Sequence, residues 1–541
     1  MRRTHEYAAV QERLHPAMRE AESMVDVLST AAAEWPDRPY LTFAPTGETL
    51  TVGELDARAE RVAGALAGLG VGRGDRVGLY LTNSPTYVVG IFACAKLGAV
   101  QVPVNWQYRE REVRHAADTA GLSVVLADPD LEYLAILGSV APDFDGLEHV
   151  VLADDAPDGF EGVSGAETHL LSDLPEAAVP TVSLEGDDPF AIMYTSGTTG
   201  LPKPALLTHR SYLLGGKSFL GAPFPEGDVN YNPFPLFHGN NQFYSMTGPL
   251  LAGTEWVLAE RFTTSAFWDH VADNGVTSFN VLGGTPKMLD SAFDPEEVPD
   301  TDLELAIGPI GTELWEAFEE KFGLRVVQIY SQTESPTLLM NHPDPEQVRV
   351  GAIGMPMFPD LGHEVTLVDA GGNPVDPGEE GELTRTDPGA MAGYYEMPEK
   401  TAETLRDGRI FSGDVARTDE DGYCYYVDRK KFMIRRSGEN IAPREIEDVV
   451  DELPGVEESA VIPVPDEVRG EEIKALVKRV DGGVTERDVV EQVAAHLAAY
   501  KVPRYVEFVD SFPKTPSERI QRTKLAEAER ERADHGWDRE A

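Results

Sequence analysis

Between residues 51 and 104 the chain changes its hydrophobic period three times, and this most limits what it can fold into. TVGELDARAERVAGALAGLG (51–70) places Leu55, Val62, Leu66 and Leu69 at helical spacing. Thr51 and Glu54 form a capping box at its start, and Gly70 suits its end. GDRVGLYL (74–81) is a short apolar run of the kind buried strands show, a helical pattern follows over 84–98, and VQVPV (100–104) reads as the next strand. Strand and helix patterns alternate in this way for some 400 residues. That alternation predicts layered α/β architecture with largely parallel strands. DDAPDGFEGVSGAETHLLSDLPEAA (154–178), polar and punctuated by glycine and proline, reads as a surface excursion. The last 110 residues differ. They read as helix (444–453), strands (459–464 and 472–480), helix (487–497) and strand (505–509), a small α+β unit. The boundary is placed near Lys431, giving domains of 1–430 and 431–541.

Composition excludes several classes. The longest apolar helical stretch, YVVGIFACA (87–95), stops at Lys96, too short to span a bilayer. The first twenty residues lack an apolar signal core and read as mature protein. Two cysteines, with no CxxC and no Cys/His cluster, indicate neither a disulfide framework nor a structural zinc site, and fit a reducing cytoplasm. Lys+Arg number 46 against 93 Asp+Glu, a net charge of −47, and only 13 of the basic residues are lysines. Such a surface repels nucleic acid and anionic membranes. It also repels itself unless salt screens it, and at about 1 M salt the Debye length is roughly 3 Å. We read it as a halophilic, high-salt cytoplasmic protein, the alternative being a merely acidic soluble enzyme.

The chemistry starts at YTSGTTGLPK (194–203), which follows the strand-like PFAIM (189–193). Gly197 and Gly200 let the backbone approach a ligand, Thr195, Ser196, Thr198 and Thr199 supply hydroxyls, and Lys203 adds a point charge. Successive N–H groups in such a loop can cradle a polyphosphate. The spacing is not GxxxxGK[ST], so this is not the common P-loop.

TSGTTGLPK resembles the signature of the adenylate-forming superfamily: acyl-CoA synthetases, luciferases and peptide-synthetase adenylation domains. Further motifs follow in that family's order: PLFHGN (235–240), AIGPI (306–310), YSQTES (330–335), GAIGMP (351–356), GYYEMPEKT (393–401), SGD (412–414) and DRKKFMIRRSGENIAPREIE (428–447). The resemblance covers about residues 25–526. The texture of 267–289, 315–334 and 501–510 is similar to the carnitine/crotonobetaine-CoA ligase-like group. The resemblance implies a large N-terminal domain of layered α/β subdomains with a β-barrel-like part, and a small mobile C-terminal α+β domain.

It also implies an AMP-forming acyl-CoA ligase of fatty-acid-type metabolism. A carboxylic acid and ATP would give acyl-AMP and pyrophosphate, and the CoA thiol would then displace AMP. ATP, Mg²⁺ and CoA would be the cofactor and co-substrates, with a second copy of the chain the one macromolecular partner considered. Thr195, Ser196, Gly197, Thr198, Thr199, Gly200 and Lys203 would hold the β- and γ-phosphates, Thr333 the α-phosphate and Glu334 the Mg²⁺. Gly308 and Tyr330 would flank adenine, and Asp414 and Arg429 would meet the ribose. His238 would stand between the α-phosphate and an acyl pocket lined by Asn241, Gly283, Gly284 and Ser331. Lys431 would be the hinge, and Ser437, Gly438 and Glu439 would face the pantetheine tunnel, where a thiol of reference pKa about 8.5 is presented.

One motif departs from the pattern. PKTPSERIQ (513–521) is similar to P-[KR]-T-x-x-G-K-[IV], but Glu518 stands for the glycine and Arg519 for the lysine that bridges carboxylate and α-phosphate. Arginine keeps the charge, and its planar fork suits both oxyanions. Lys514 and Lys524 are out of register. Arg519 doing the lysine's work, slow adenylation with thioester formation intact, and a non-catalytic ATP-binding pseudo-enzyme are the three readings. A ligase loading a carrier-protein thiol is the alternative enzyme.

Overall fold

A computed structural model describes residues 10–541 except 11, 145, 196–200, 283–284, 370, 430–433, 442, 481, 514–519, 521, 531 and 533, and except the side chains of 313, 428, 429, 440, 444 and 523. Ser196, Gly197, Thr198, Thr199, Gly200, Gly283, Gly284, Lys431, Arg519 and the Arg429 side chain therefore lie outside the described residues.

The alternation seen at 51–104 is realised element by element. The helix Val52–Gly68 starts on the Thr51–Glu54 capping box, with Glu54 N donating to Thr51 Oγ1 at 3.2 Å and Thr51 N donating to Glu54 Oε2 at 2.9 Å. The strand Arg76–Tyr80, the helix Pro85–Leu97 and the strand Val100–Pro103 follow. An eight-stranded sheet takes the order Gly393–Tyr394, Lys203–Thr208, Pro189–Thr195, Val100–Pro103, Arg76–Tyr80, Val124–Ala127, His149–Leu152, Glu167–Leu170. From Pro189–Thr195 onward its neighbours are parallel, whereas Lys203–Thr208 folds back antiparallel. A seven-stranded sheet, mostly parallel, is built from 39–51, 229–258 and 278–327.

The largest core lies between these two sheets. It joins Val77, Leu79 and Phe190 of the first to Trp256, Leu258 and Leu305 of the second through Leu55, Phe92, Tyr212 and Leu250 of the helices between them. Both sheets are covered on their faces, which is why their strands read as unbroken apolar runs rather than alternating ones. The part expected to be barrel-like is an antiparallel sheet of eight strands drawn from 329–429.

The C-terminal unit carries a six-stranded sheet. In Val456–Asp466, Val461 faces a core with Ile446, Val449, Val489 and Val493, while Ala460 and Ile462 face a second core with Phe512 and Ala526. A short final strand, Trp537–Asp538, pairs with Tyr505 and Val506 and had no signal in the sequence reading. No helix among the described residues is long and apolar enough to cross a membrane.

Candidate active site

The candidate residues converge from several elements on one strand and turn. Ile329–Gln332 and Ser335–Met340 form an antiparallel pair, and their turn carries Thr333 and Glu334. At the strand end, Tyr330 Oη donates to Asp414 Oδ2 at 2.7 Å and Gln332 Nε2 donates to the same oxygen at 3.0 Å. Asp414 is almost fully buried, and a guanidinium nitrogen of Arg435 lies 3.8 Å from its other oxygen. Burial, and then the Asp414 carboxylate, push the Tyr330 phenol well above its ordinary range, so it stays a donor. Arg429 stands opposite Asp414 in the neighbouring strand. Gly308 follows the strand Leu305–Ile307, and its N–H donates to Val327 O at 3.0 Å. Its φ is +147°, and a Cβ there would sit 1.9 Å from the Val281 carbonyl oxygen, so only glycine fits.

At the turn, the Glu334 carboxylate accepts from Thr195 Oγ1 at 3.2 Å and from Tyr394 Oη at 2.7 Å. Lys203 Nζ donates to the same Tyr394 hydroxyl at 3.1 Å and lies 4.3 Å from its ring centroid. Thr195 and Lys203 face each other across the hairpin that brackets the glycine-rich loop. The loop's two ends, Glu334 and Tyr394 thus form one cluster. Tyr394 was in a quoted motif but had no role assigned. Burial and the adjacent Glu334 carboxylate raise its phenol pKa strongly.

His238 meets a residue from the other end of the chain. Its Nε2 is 3.2 Å from Glu439 Oε1. Glu439 stands just past a two-residue turn, Ser437–Gly438, between the strands Ile434–Arg436 and Glu439–Ile441. Ser437 has φ +52° and Gly438 φ +89°, the paired left-handed conformation that closes tight hairpins. The His238 loop is braced from behind. Asn83 Nδ2 and Asn241 Nδ2 both donate to the Phe234 carbonyl, at 2.9 and 2.6 Å, and Gln242 Nε2 donates to Leu236 O at 2.6 Å. Asn241, expected to line the acyl pocket, commits its amide nitrogen to this loop from within a π-helix, Asn240–Met246. Ser331 Oγ accepts from Tyr244 Oη at 2.6 Å.

The two ends of the chain also meet away from His238. Lys501 is buried between Glu112, of the helix Glu110–Ala120, and Glu445, of the helix Pro443–Asp451, with its Nζ 3.0 Å from Glu445 Oε1. The three side chains are at most 2% exposed. Ala498 N donates to Glu112 Oε2 at 3.1 Å. Burial opposes the Lys501 charge, but Glu445, Tyr500 and Glu112 together raise its pKa well above the ordinary value. Neighbouring this contact is a cavity of about 450 Å³, lined by Trp106, Tyr108 and Tyr500 and by Arg436, Arg469 and Arg539.

Residues 28–395 match the family model of the AMP-binding enzymes, and 445–519 match the model of the AMP-binding enzyme C-terminal domain. The chain belongs to the AMP-binding enzyme family. Within it, the chain is 33% identical to the sulfoacetate–CoA ligase of Cupriavidus necator, over 93% of this chain and 97% of the relative. It is 36% identical to a feruloyl-CoA synthase of an Amycolatopsis species, over 90% of this chain and 96% of the relative. Its fold matches the o-succinylbenzoate CoA synthetase of Bacillus subtilis bound with the product analogue OSB-NCoA. That match has a TM-score of 0.81 and 24% identity, and covers 93% of this chain and 98% of the other. The acids in these names are a small carboxylate that bears a sulfonate and two carboxylates that bear an aromatic ring.

Proposed function

We propose that ATP lies along residues 330–334 of this chain, adenosine toward Tyr330 and Asp414, phosphates toward Glu334 and Lys203. The chain is an AMP-forming acyl-CoA ligase, joining a carboxylic acid to the CoA thiol at the cost of ATP. The observation that carries the proposed placement is continuity. One five-residue stretch links the Tyr330–Asp414 pair to the cluster of Glu334, Thr195, Tyr394 and Lys203.

In the first step a carboxylate oxygen attacks the α-phosphorus and the bond to pyrophosphate breaks. Two anions approach each other, so held cations and donors stabilise the developing charge. Lys203 and the 196–200 loop hold the β- and γ-phosphates, Thr333 the α-phosphate, and Arg519 bridges the carboxylate and α-phosphate. Gly308 and Tyr330 flank adenine, and Asp414 with Arg429 holds the ribose. The Glu334 carboxylate and the Thr195 hydroxyl are hard oxygen donors beside the phosphate loop, the donor set Mg²⁺ takes when it shares its shell with substrate phosphates. Bound there, Mg²⁺ would neutralise phosphate charge.

In the second step the CoA sulfur, having lost its proton, attacks the acyl carbonyl and AMP leaves. His238 stands between the nucleotide and the acyl group, with Ser331, Gly283 and Gly284 lining the acyl side and Asn241 bracing the His238 loop. Ser437, Gly438 and Glu439 line the thiol's approach, and Lys431 is the hinge that exchanges this arrangement for the adenylating one. The cavity lined by Arg109, Arg436, Arg469 and Arg539, against Glu132 and Glu540, keeps a surplus of arginines that suits the bisphosphate of CoA, which a carrier-protein thiol lacks. AMP release that requires free CoA separates the two acceptors.

The test is acid-dependent ATP–pyrophosphate exchange without CoA, in high KCl, over short, medium and aryl acids, for the wild type and Arg519→Lys. Exchange in the wild type is expected, and the best acid names the substrate class. Exchange in Arg519→Lys alone would mean that Arg519 has disabled adenylation. Exchange in neither would favour the non-catalytic reading.

The net charge of −47 adds a second expectation. The melting temperature is expected to rise as KCl is raised from low values, because counter-ions screen the self-repulsion. A melt that is flat or falls with KCl would remove the high-salt reading.

A further inference from the structure

The far edge of the eight-stranded sheet gathers two histidines and a glutamate. His149 opens the strand His149–Leu152, and Glu167 and His169 lie on the parallel edge strand Glu167–Leu170. His149 pairs with Glu167 in register, and Glu167 and His169, two apart on a strand, share one face. His149 Nδ1 and His169 Nε2 are 3.1 Å apart, and Glu167 Oε2 lies 3.7 and 3.8 Å from them.

We propose that these three side chains form a site for a divalent transition-metal cation of the zinc type, which clips the edge strand to the sheet. A point equidistant from the three atoms lies about 2.1 Å from each, within the roughly 2.0–2.2 Å of zinc–imidazole and zinc–carboxylate bonds. Two imidazoles select zinc, nickel or copper over magnesium or calcium, which prefer oxygen ligands. The imidazoles are half-buried, with side chains 16% and 24% exposed, while Glu167 is 76% exposed, so an ion can enter from solvent. Among the described residues no other His, Cys, Asp or Glu group converges in this way.

The edge strand is short and lightly covered. It is four residues long, none fully buried, and it returns to the sheet only after the glycine-punctuated segment 153–166, of which Val163 alone is buried. The ion would join two strands whose ligands are 20 residues apart, and because the site exists only in the folded sheet, binding it would stabilise the fold. The site lies in the sheet opposite the edge that carries Lys203 and Tyr394, so it is structural and separate from the ligase chemistry.

The test is calorimetric titration of ZnCl₂ into the full, chelator-stripped chain in KCl, for the wild type, His149→Gln, His169→Gln and Glu167→Gln. One zinc per chain is expected. Either histidine substitution should weaken binding by at least about 100-fold, more than the 10–100-fold that outer-shell partners cost. In the wild type, Co²⁺ should give visible d–d absorption, and zinc should raise the melting temperature and slow proteolysis within 153–166. Melts in EDTA check that the variants fold like the wild type. No zinc binding in the wild type, or binding unchanged in all three variants, would overturn the proposal, leaving a histidine–histidine hydrogen bond or scattered surface carboxylates.

Discussion

Lys501→Met is expected to slow transfer of the acyl group from adenylate to CoA by roughly 100-fold or more, while acid-dependent pyrophosphate exchange falls far less. Lys501 belongs to the C-terminal unit and is held by Glu112 of the N-terminal part, so on the proposed exchange of arrangements the contact belongs to the one that sets Glu439 beside His238. Removing the ammonium leaves the buried Glu112 carboxylate, and Glu445 as far as it is ionised, without a cation, and breaking a buried pair costs about 3–5 kcal/mol. Each 1.4 kcal/mol is about tenfold in population, so the docked arrangement would become rare. Single-turnover transfer from a supplied acyl adenylate, set beside pyrophosphate exchange, measures the split. Equal losses in both half-reactions would show that Lys501 supports the whole fold rather than this arrangement. The same contact is linked to pH. Burial, against the pull of Lys501, pushes Glu445 up from 4.5 to about 7. Relative to a solvated carboxyl, the buried Glu445 therefore holds a proton to higher pH. Its contribution is fully present below about pH 4.5 and is lost as pH rises through about 7. Glu445→Gln should flatten that dependence in a scattering or energy-transfer measure of docking.

Glu334→Gln is expected to reduce acid-dependent pyrophosphate exchange by roughly 10²–10³-fold, the range that losing one held electrostatic group costs. The amide still accepts from the Tyr394 hydroxyl, so the local packing is retained and only the charge is removed. The loss should be accompanied by a higher Mg²⁺ requirement, read from exchange rates across a magnesium series. A loss below about threefold would place the ion elsewhere and leave Glu334 as an anchor for Tyr394.

The sequence was most readable where chemistry is contiguous. Residues 330–334 carry the groups proposed to face the nucleotide on one strand and turn, so a short motif contained both ends of the cluster. The helix Val52–Gly68 announced its own start because its cap is local. Gly308 was expected only to flank adenine; its intolerance of a side chain left no sign in the sequence, since the excluding carbonyl comes from residue 281. The Lys501 contact was not legible, because its partners are 389 and 56 residues away and neither distance leaves a pattern. His149 and His169 carry no sequence signal for the same reason. Strand pairing, not spacing, brings them together.

The separation of Glu112 from Lys501 also gives the interface a place in time. The 389 residues between them take roughly 20–80 s to synthesise at 5–20 residues per second. Until then the N-terminal part emerges from the ribosome with Glu112 open to water and folds without its cation. The joint between the two parts is thus made only after nearly the whole chain has been translated. A chain truncated before Lys501 is left with an acidic, hydrated socket.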